Sequence, residues 1–291
     1  MKSDFETNDI LEYDIPVTVG DNVVRLLAPN PTIFTGKGTN TYLVIGQDST
    51  VVIDPGPDDD VHIENILKIA PSTISSILVT HTHIDHWPGT PKLKKLTGAV
   101  TYGFEEKDGF APDINLSDGS EIDAGGRAIS VLYTPGHASN HLCYLLNDSN
   151  LLFTGDHIMN GATVIIPPPD GDMKAYLDSL RRLTEEKILI NVIAPGHGHL
   201  INNPGEEIRR VIEHRMNREK KVIDALRVDV AKTIDEMIHD VYSDVSESLY
   251  PLAANSLFAH LRKLFDDSLV TGHSEGGQLT KDDPDAKWKL I

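Results

Sequence analysis

At four points in this 291-residue chain an apolar, β-rich run breaks into a glycine-bearing loop that carries a histidine or an aspartate. SILVT runs into HTHIDH, which holds His81, His83, Asp85 and His86. YTPGH ends on His137, LLFTGD on Asp156 and VIAPGHG delivers His197. Four specified side chains at H-x-H-x-D-H spacing seldom coincide, and three further junctions of the same build leave independent surface histidines a poor account. Loops that leave separate strands can meet only if those strands are neighbours with their ends at one edge. The ligand-type residues therefore demand a sheet-based core whose strand ends converge.

The residue types fit one chemistry. Neutral imidazole suits zinc and related divalent metals, and a carboxylate can bridge two cations. Seven candidate ligands exceed the four that a tetrahedral zinc accepts, so the count favours two divalent metal ions, with zinc the expected metal. Two such ions about 3.5–4 Å apart activate a shared water and stabilise a developing oxyanion. Gly136, Gly155 and Gly196 stand beside the ligands, where a tight backbone must turn a side chain inward. A serine or cysteine nucleophile is a weaker reading. The sequence has no G-x-S-x-G, and its single cysteine, Cys143 in HLCYLL, reads as a buried structural thiol.

The pattern along the chain changes once. Up to about residue 200, short β-rich runs alternate with turns: TYLVI and TVVID flank GQDS as a hairpin, EIDAGGRAISVLYT turns at Gly-Gly, and HLCYLLNDSNLLFTGD turns at Asn147–Asn150. VHIENILKIA and MKAYLDSLRRL carry apolar residues at helical spacing. Beyond Pro204 the periodicity is mainly helical, in GEEIRRVIEHRMNREKKVIDAL, TIDEMIHDVY and LAANSLFAHLRKLFDD. Two short strand-like runs, SLVTG and KWKLI, then enclose a polar turn. Three helices followed by two strands spell a winged-helix pattern. The expected division is residues 1–205 for a catalytic domain and 206–291 for a small C-terminal domain, with the first tail helix bridging the boundary.

The net charge of −18 argues against broad binding to nucleic acid or anionic membranes. Most of the excess lies in the first two hundred residues, leaving the tail freer to approach an anion. No apolar run reaches the roughly 18–20 residues that span a bilayer, and the polar, acidic start lacks the features of a signal peptide. The expected location is cytoplasmic, with no membrane partner.

The segments GTNTYL, VIDPG, THTHIDH, TPGH, FTGD and PGHG, in that order, closely resemble the metallo-β-lactamase superfamily over about residues 20–200. The resemblance implies an α+β fold, a four-layer αββα sandwich with the metals at one edge. It further implies one metal on His81, His83 and His137, a second on Asp85, His86 and His197, and Asp156 bridging them. Asp54 matches an acid that orients a metal-binding histidine. HRMNREKKVIDAL, ANSLFAHLRKL and DPDAKWKLI resemble the winged-helix tail of the lactamase-β-like protein 2 subgroup, which includes metal-dependent endoribonucleases acting on single-stranded RNA.

Three function classes follow. The first is a hydrolase in which a metal-bridging hydroxide attacks a phosphodiester of single-stranded RNA, with Asp85 positioning the nucleophile. The second is a thioester or ester hydrolase resembling hydroxyacylglutathione hydrolases. A non-catalytic winged-helix binding protein is the third, and a homodimer is compatible with each. Among the other histidines, His199 is the candidate for touching substrate or donating a proton, and His141 and His157 are candidate supports or substrate-facing groups. His62, His239, His260 and His273 read as surface or packing residues. Trp87, where relatives carry small residues, reads as a wall of the ligand loop, with base stacking the alternative. Pro167–Met173 reads as a stiff turn or a lip over the site, and the basic run Arg209–Lys221 as a solvated helix face, with a phosphate contact the alternative.

Overall fold

In the computed structural model, which describes residues 10–185 and 187–291, the chain divides into two units. One runs to Thr134 and resumes over Asn140–Thr163 and Thr184–Glu207; the other joins Pro135–Ser139, Val164–Leu183 and Ile208–Ile291.

Strand periodicity builds the first unit. Seven strands form one sheet in sequence order: β1 (Val17–Gly20), β2 (Val23–Leu27), β3 (Asn40–Ile45), β4 (Ser49–Ile53), β5 (Thr73–Leu78), β6 (Val100–Gly103) and β7 (Ile114–Asn115). The pairs from β1 to β4 are antiparallel and those from β4 to β7 parallel. Parallel neighbours need crossovers. Helices α1 (Asp60–Ile69) and α2 (Thr90–Thr97) supply those from β4 to β5 and from β5 to β6, and a loop joins β6 to β7. A second sheet holds β8 (Glu121–Asp123), β9 (Ala128–Tyr133), β10 (Leu142–Leu146), β11 (Leu151–Gly155) and β12 (Val192–Pro195), in reverse order, with only β11 and β12 parallel.

Alternation decides what each face meets. Tyr42, Val44, Val51 and Ile53 point into one cluster with Val131, Leu142, Tyr144, Leu146 and Phe153 of the other sheet. Their neighbours Leu43 and Val52 point the opposite way, onto Ile63 and Ile66 of α1 and Leu93 of α2. The first unit is thus helix layer, sheet and sheet. Each of these buried aliphatic side chains contributes roughly 1.5–3 kcal/mol of burial free energy. The carboxyl ends of β4, β5, β9, β11 and β12 share one edge, because β9, β11 and β12 run in one direction. Open sheets bind ligands at such an edge.

The second unit contains α3 (Met173–Arg182), the body of α4 (Pro204–Ala225), α5 (Ile234–Val241), α6 (Tyr250–Asp266) and a hairpin of β13 (Val270–His273) with β14 (Lys287–Leu290). Its core gathers Val222, Leu226, Met237, Val241, Leu257, Leu261, Leu264 and Trp288. Trp288 of β14 is fully buried, with Phe258 and Phe265 edge-on at 6.3 and 6.4 Å. Thr233 and Glu236 close a reciprocal cap on α5, and Asp172 caps α3 by accepting from the Ala175 N–H.

One expectation is corrected in this unit. Within the basic run of α4, Arg209, Arg210 and Lys220 face solvent, but Arg215, Arg218 and Glu219 are buried. Arg218 donates to Asp244 and lies 4.2 Å over the Tyr242 ring; Lys263 reaches Glu219. Tertiary partners with acceptors and an aromatic face override the solvated reading that charge pattern suggested. Pro167–Met173 forms a turn closed by the Gly171 N–H on Pro167 O and leads into α3 through Asp172. Among the described residues no helix is long and apolar enough to cross a membrane.

Candidate metal centre

All seven ligand-type residues come together. The ligand atoms of His81, His83, His137 and Asp156 lie within 4.8 Å of one another, and so do those of Asp85, His86, Asp156 and His197. The two groups share Asp156. His81 and His83 are two positions apart on the loop leaving β5, and their ring nitrogens Nε2 and Nδ1 face each other at 3.0 Å. In the second group His197 Nε2 is 3.1 Å from Asp85 Oδ2 and 3.2 Å from Asp156 Oδ1. His86 Nε2 stands 3.5 and 3.4 Å from the same two carboxylates.

The rings are aimed from behind. Asp54 Oδ2 accepts from His86 Nδ1 at 2.8 Å, Gly38 O from His197 Nδ1 at 3.0 Å, and Ile165 O from His137 Nδ1 at 2.7 Å. An acceptor on Nδ1 fixes the tautomer and places the lone pair of a neutral ring on Nε2. Asp54 is itself fixed, since its carboxylate accepts from the Thr80 N–H at 2.8 Å and the Thr80 hydroxyl at 2.7 Å. It sits at φ 50°, a left-handed backbone that Asp tolerates better than most residues. Thr41 donates to the Asp54 carbonyl at 2.7 Å, which leaves His62 Nε2–H as the donor to Thr41 Oγ1 at 2.9 Å.

Glycines make the cradle. A Cβ at Gly196 would fall 2.7 Å from Asp156 Oδ1 and 2.8 Å from His86 Cε1. Gly155, at φ +45°, has Thr80 Oγ1 2.6 Å from any added Cβ. Side chains at either position would displace a ligand or its support.

Electrostatics divide the rings. Burial, with neighbouring His86, His83 and His141, holds His81 well below the ordinary histidine value, so it is neutral and ligand-ready. Burial also works against charge on His86 and His197. For both, carboxylates outweigh it: His86 is raised well above the ordinary value, and His197 to about 10. Burial would raise Asp156, but His197 and His86 hold it well below the usual carboxylate range. His86 and His197 each bury an Nε2 atom that makes no well-aligned hydrogen bond while facing two carboxylates. Such an arrangement needs a positive charge between its members, either protons or cations. Imidazole and carboxylate donors in two groups with a common aspartate suit divalent metals of the zinc type.

The remaining expectations divide. His199 is exposed and belongs to neither ligand group. His141 and His157 are buried; the His141 ring lies 4.9 Å from that of His81 and 5.8 Å from that of His157, so His141 backs the site and His157 backs His141. Trp87 forms the loop wall: Nε1 donates to Thr82 O at 3.0 Å and the ring packs on Phe110. Cys143 is buried, as read. Sequence reasoning missed Thr41, Thr80, Asn140 and Asp108. Asn140 and Thr82 bond at 2.9 Å, and Thr82 donates to Asp108 at 2.6 Å, which pins the His81–His83 stretch. Thr80 and Asn140 stand beside ligands in THTH and GHASNH, whereas Thr41 in GTNTYL and Asp108 in EEKDGF carry no such signal.

Residues 34–197 match the metallo-β-lactamase superfamily, and residues 233–281 match the β-lactamase associated winged helix domain. A lactamase-like protein of Pestalotiopsis microspora is 34% identical over 212 residues, 72% of this chain, and the match spans 64% of that relative's length. A β-lactamase-like protein 2 homolog of Caenorhabditis elegans is 30% identical over 262 residues, 87% of each chain. An atrochrysone carboxyl ACP thioesterase of Aspergillus chevalieri is 31% identical over 267 residues, covering 88% of this chain and 84% of its own. A β-lactamase domain protein from Burkholderia ambifaria shares the fold, with a TM-score of 0.81 at 17% identity over 98% of this chain and 96% of that one. With more than half of the chain matched and the strand-end histidines and aspartates gathered at one edge, the chain belongs to the metallo-β-lactamase superfamily and is a hydrolase of that α+β fold with a C-terminal winged helix.

Proposed function

We propose that the site binds two divalent cations and hydrolyses an acyl thioester or ester. His81, His83 and His137 would hold one cation, Asp85, His86 and His197 the other, and Asp156 both. Bound there, the ions would supply positive charge for an oxyanion and an acidified water. The chain's own side chains position that chemistry. Asp54, Gly38 and Ile165 keep three rings aimed through Nδ1, so that little reorganisation accompanies reaction. Asp85 is the more solvent-open of the two aspartates, with a fifth of its side chain exposed, and its carboxylate is placed to accept a proton from an entering water.

The observation that favours an acyl substrate is the exposure of apolar side chains on loops that carry or support ligands. Ile84, between His83 and Asp85, is 82% exposed. Ile33 and Phe34 are exposed on the loop that delivers Gly38 to His197. A net charge of −18 adds a long-range penalty for polyanions. The similarity to a relative named as a thioesterase supports the same reading. Single-stranded RNA is the second reading, favoured by the match to a β-lactamase-like protein 2 homolog over 87% of each chain and by the winged-helix tail.

The test is turnover by zinc-loaded protein of an acyl-pantetheine thioester, a single-stranded RNA and a bis-aryl phosphodiester, with Asp156→Ala as control. Thioester hydrolysis reduced at least about a hundredfold in Asp156→Ala is the expected result. RNA cleavage without thioester turnover would overturn the acyl reading. Full activity of Asp156→Ala would overturn the two-cation site.

A further inference from the structure

We propose that Arg215, far along the sequence from any ligand-type residue, is a positioning residue for His137. The inference rests on the reading of His137 as a metal ligand. His137 lies in Pro135–Ser139, a segment that groups with Val164–Leu183 and with the helices after Ile208. Its ring is aimed through Nδ1, which donates to the Ile165 carbonyl at 2.7 Å. The preceding carbonyl, Val164 O, accepts from the Arg215 guanidinium. Ring and guanidinium therefore grip successive carbonyls of one buried strap, whose residues Val164 and Ile166 are both inside.

A second route converges on the same loop. The Arg215 guanidinium lies 5.5 Å from the centroid of the Tyr176 ring on α3. The backbone of Tyr176 closes against Gly136, where an added Cβ would stand 2.3 Å from Tyr176 Cα. Gly136 O accepts from the Asp172 N–H at 2.8 Å, and Pro135 O from Ser179 Oγ at 2.8 Å. Arg215 thus touches both elements that fix the loop: the strap through a hydrogen bond, and α3 through the Tyr176 ring.

A purely structural role accounts poorly for this choice of residue. Arg215 is 3% exposed, and its Nε has no hydrogen-bond partner. Taking a guanidinium out of water is costly unless the bonds it makes offset the cost, so its contact with the Val164 carbonyl is the feature to explain. What an apolar side chain cannot do is hold the Val164 carbonyl, and with it the register of the Ile165 carbonyl against His137. Misplaced support for a ligating histidine weakens metal affinity rather than folding alone.

The experiment uses the full chain stripped of metal and titrated with zinc against a chromophoric chelator, giving two dissociation constants. In Arg215→Leu one constant should rise about tenfold and the other stay within about twofold. Arg215→Lys, which keeps a donor, should recover part of the loss. In a His137→Ala background Arg215→Leu should cause no further change, because the route is already broken. Arg218→Leu, from the same buried face of α4 but bonded to Asp244, should lower thermal stability with both constants unchanged. Equal weakening of both ions, no weakening, or additivity with His137→Ala would overturn the inference. If Arg215→Leu does not fold, Arg215→Lys is compared in both backgrounds under the same criteria. Failure of the wild-type protein to bind zinc would instead overturn the underlying metal reading, so the two failures are distinguishable.

Discussion

Asp54 shows how much a single side chain can decide in this site. It makes no contact with substrate in the proposed reaction, yet it aims His86 and takes both donors of Thr80. Asp54→Asn keeps the shape, and Asn tolerates the left-handed backbone. It removes the negative charge behind His86 and turns an amide N–H against a buried donor. It should therefore weaken zinc binding in the Asp85–His86–His197 group by about 10–100-fold and lower the melting temperature as well. Competition with a chelator checks the first outcome and calorimetry the second. A different expectation concerns His197, whose folded value of about 10 stands above the ordinary 6.5 in the metal-free protein. A raised value means that its stabilising contribution is complete below the unfolded value and is lost as pH rises through the folded one. Chelator-stripped protein should therefore melt at lower temperature as pH climbs from about 6.5 to about 10. Zinc-loaded protein should show little of that decline, and a stripped His197→Gln variant a smaller one, with the remainder due to His86.

At the scale of elements, the parts legible in sequence are those whose chemistry is local. His81, His83, Asp85 and His86 can be read because a strand followed by a tight loop puts them together whatever the rest of the chain does. The grouping of His137, Asp156 and His197 with them follows from the resemblance and from strand ends, not from spacing. Arg215 and Arg218 were misread because a charge on a helix reveals nothing about the carbonyl or aromatic ring that a distant segment offers it. His62, read only as surface or packing, turns out to be buried behind Asp54 through Thr41, with burial lowering it to about 4. Nothing in VHIENILKIA marks that contact. Caps, by contrast, are visible locally: Asp172 precedes α3 and Thr233 pairs with Glu236 on α5. Removing the α3 cap with Asp172→Ala should cost about 1 kcal/mol in denaturant unfolding. Trp288→Ala, which empties the centre of the winged-helix core, should cost about 3–5 kcal/mol in the same measurement.

The whole molecule carries 44 acidic against 26 basic residues, and that balance acts on any substrate before contact. Repulsion of a polyanion falls as salt shortens the screening length from about 20 Å or more to about 8 Å. If RNA were the substrate, kcat/KM should rise as salt increases from about 20 to about 150 mM, whereas turnover of an uncharged thioester should change less than about twofold. Steady-state rates on both substrates across that range distinguish the readings. A last consequence lies in the sharing of Asp156. One ligand group has two carboxylates, Asp85 and Asp156, while the other has Asp156 alone beside three imidazoles. Anionic charge attracts the first ion to the richer group, and its arrival neutralises part of what the second would have met. Loading should then be ordered: sub-stoichiometric zinc yields a singly charged-up intermediate on the His86–His197 side, and the His81–His83–His137 side fills last and empties first.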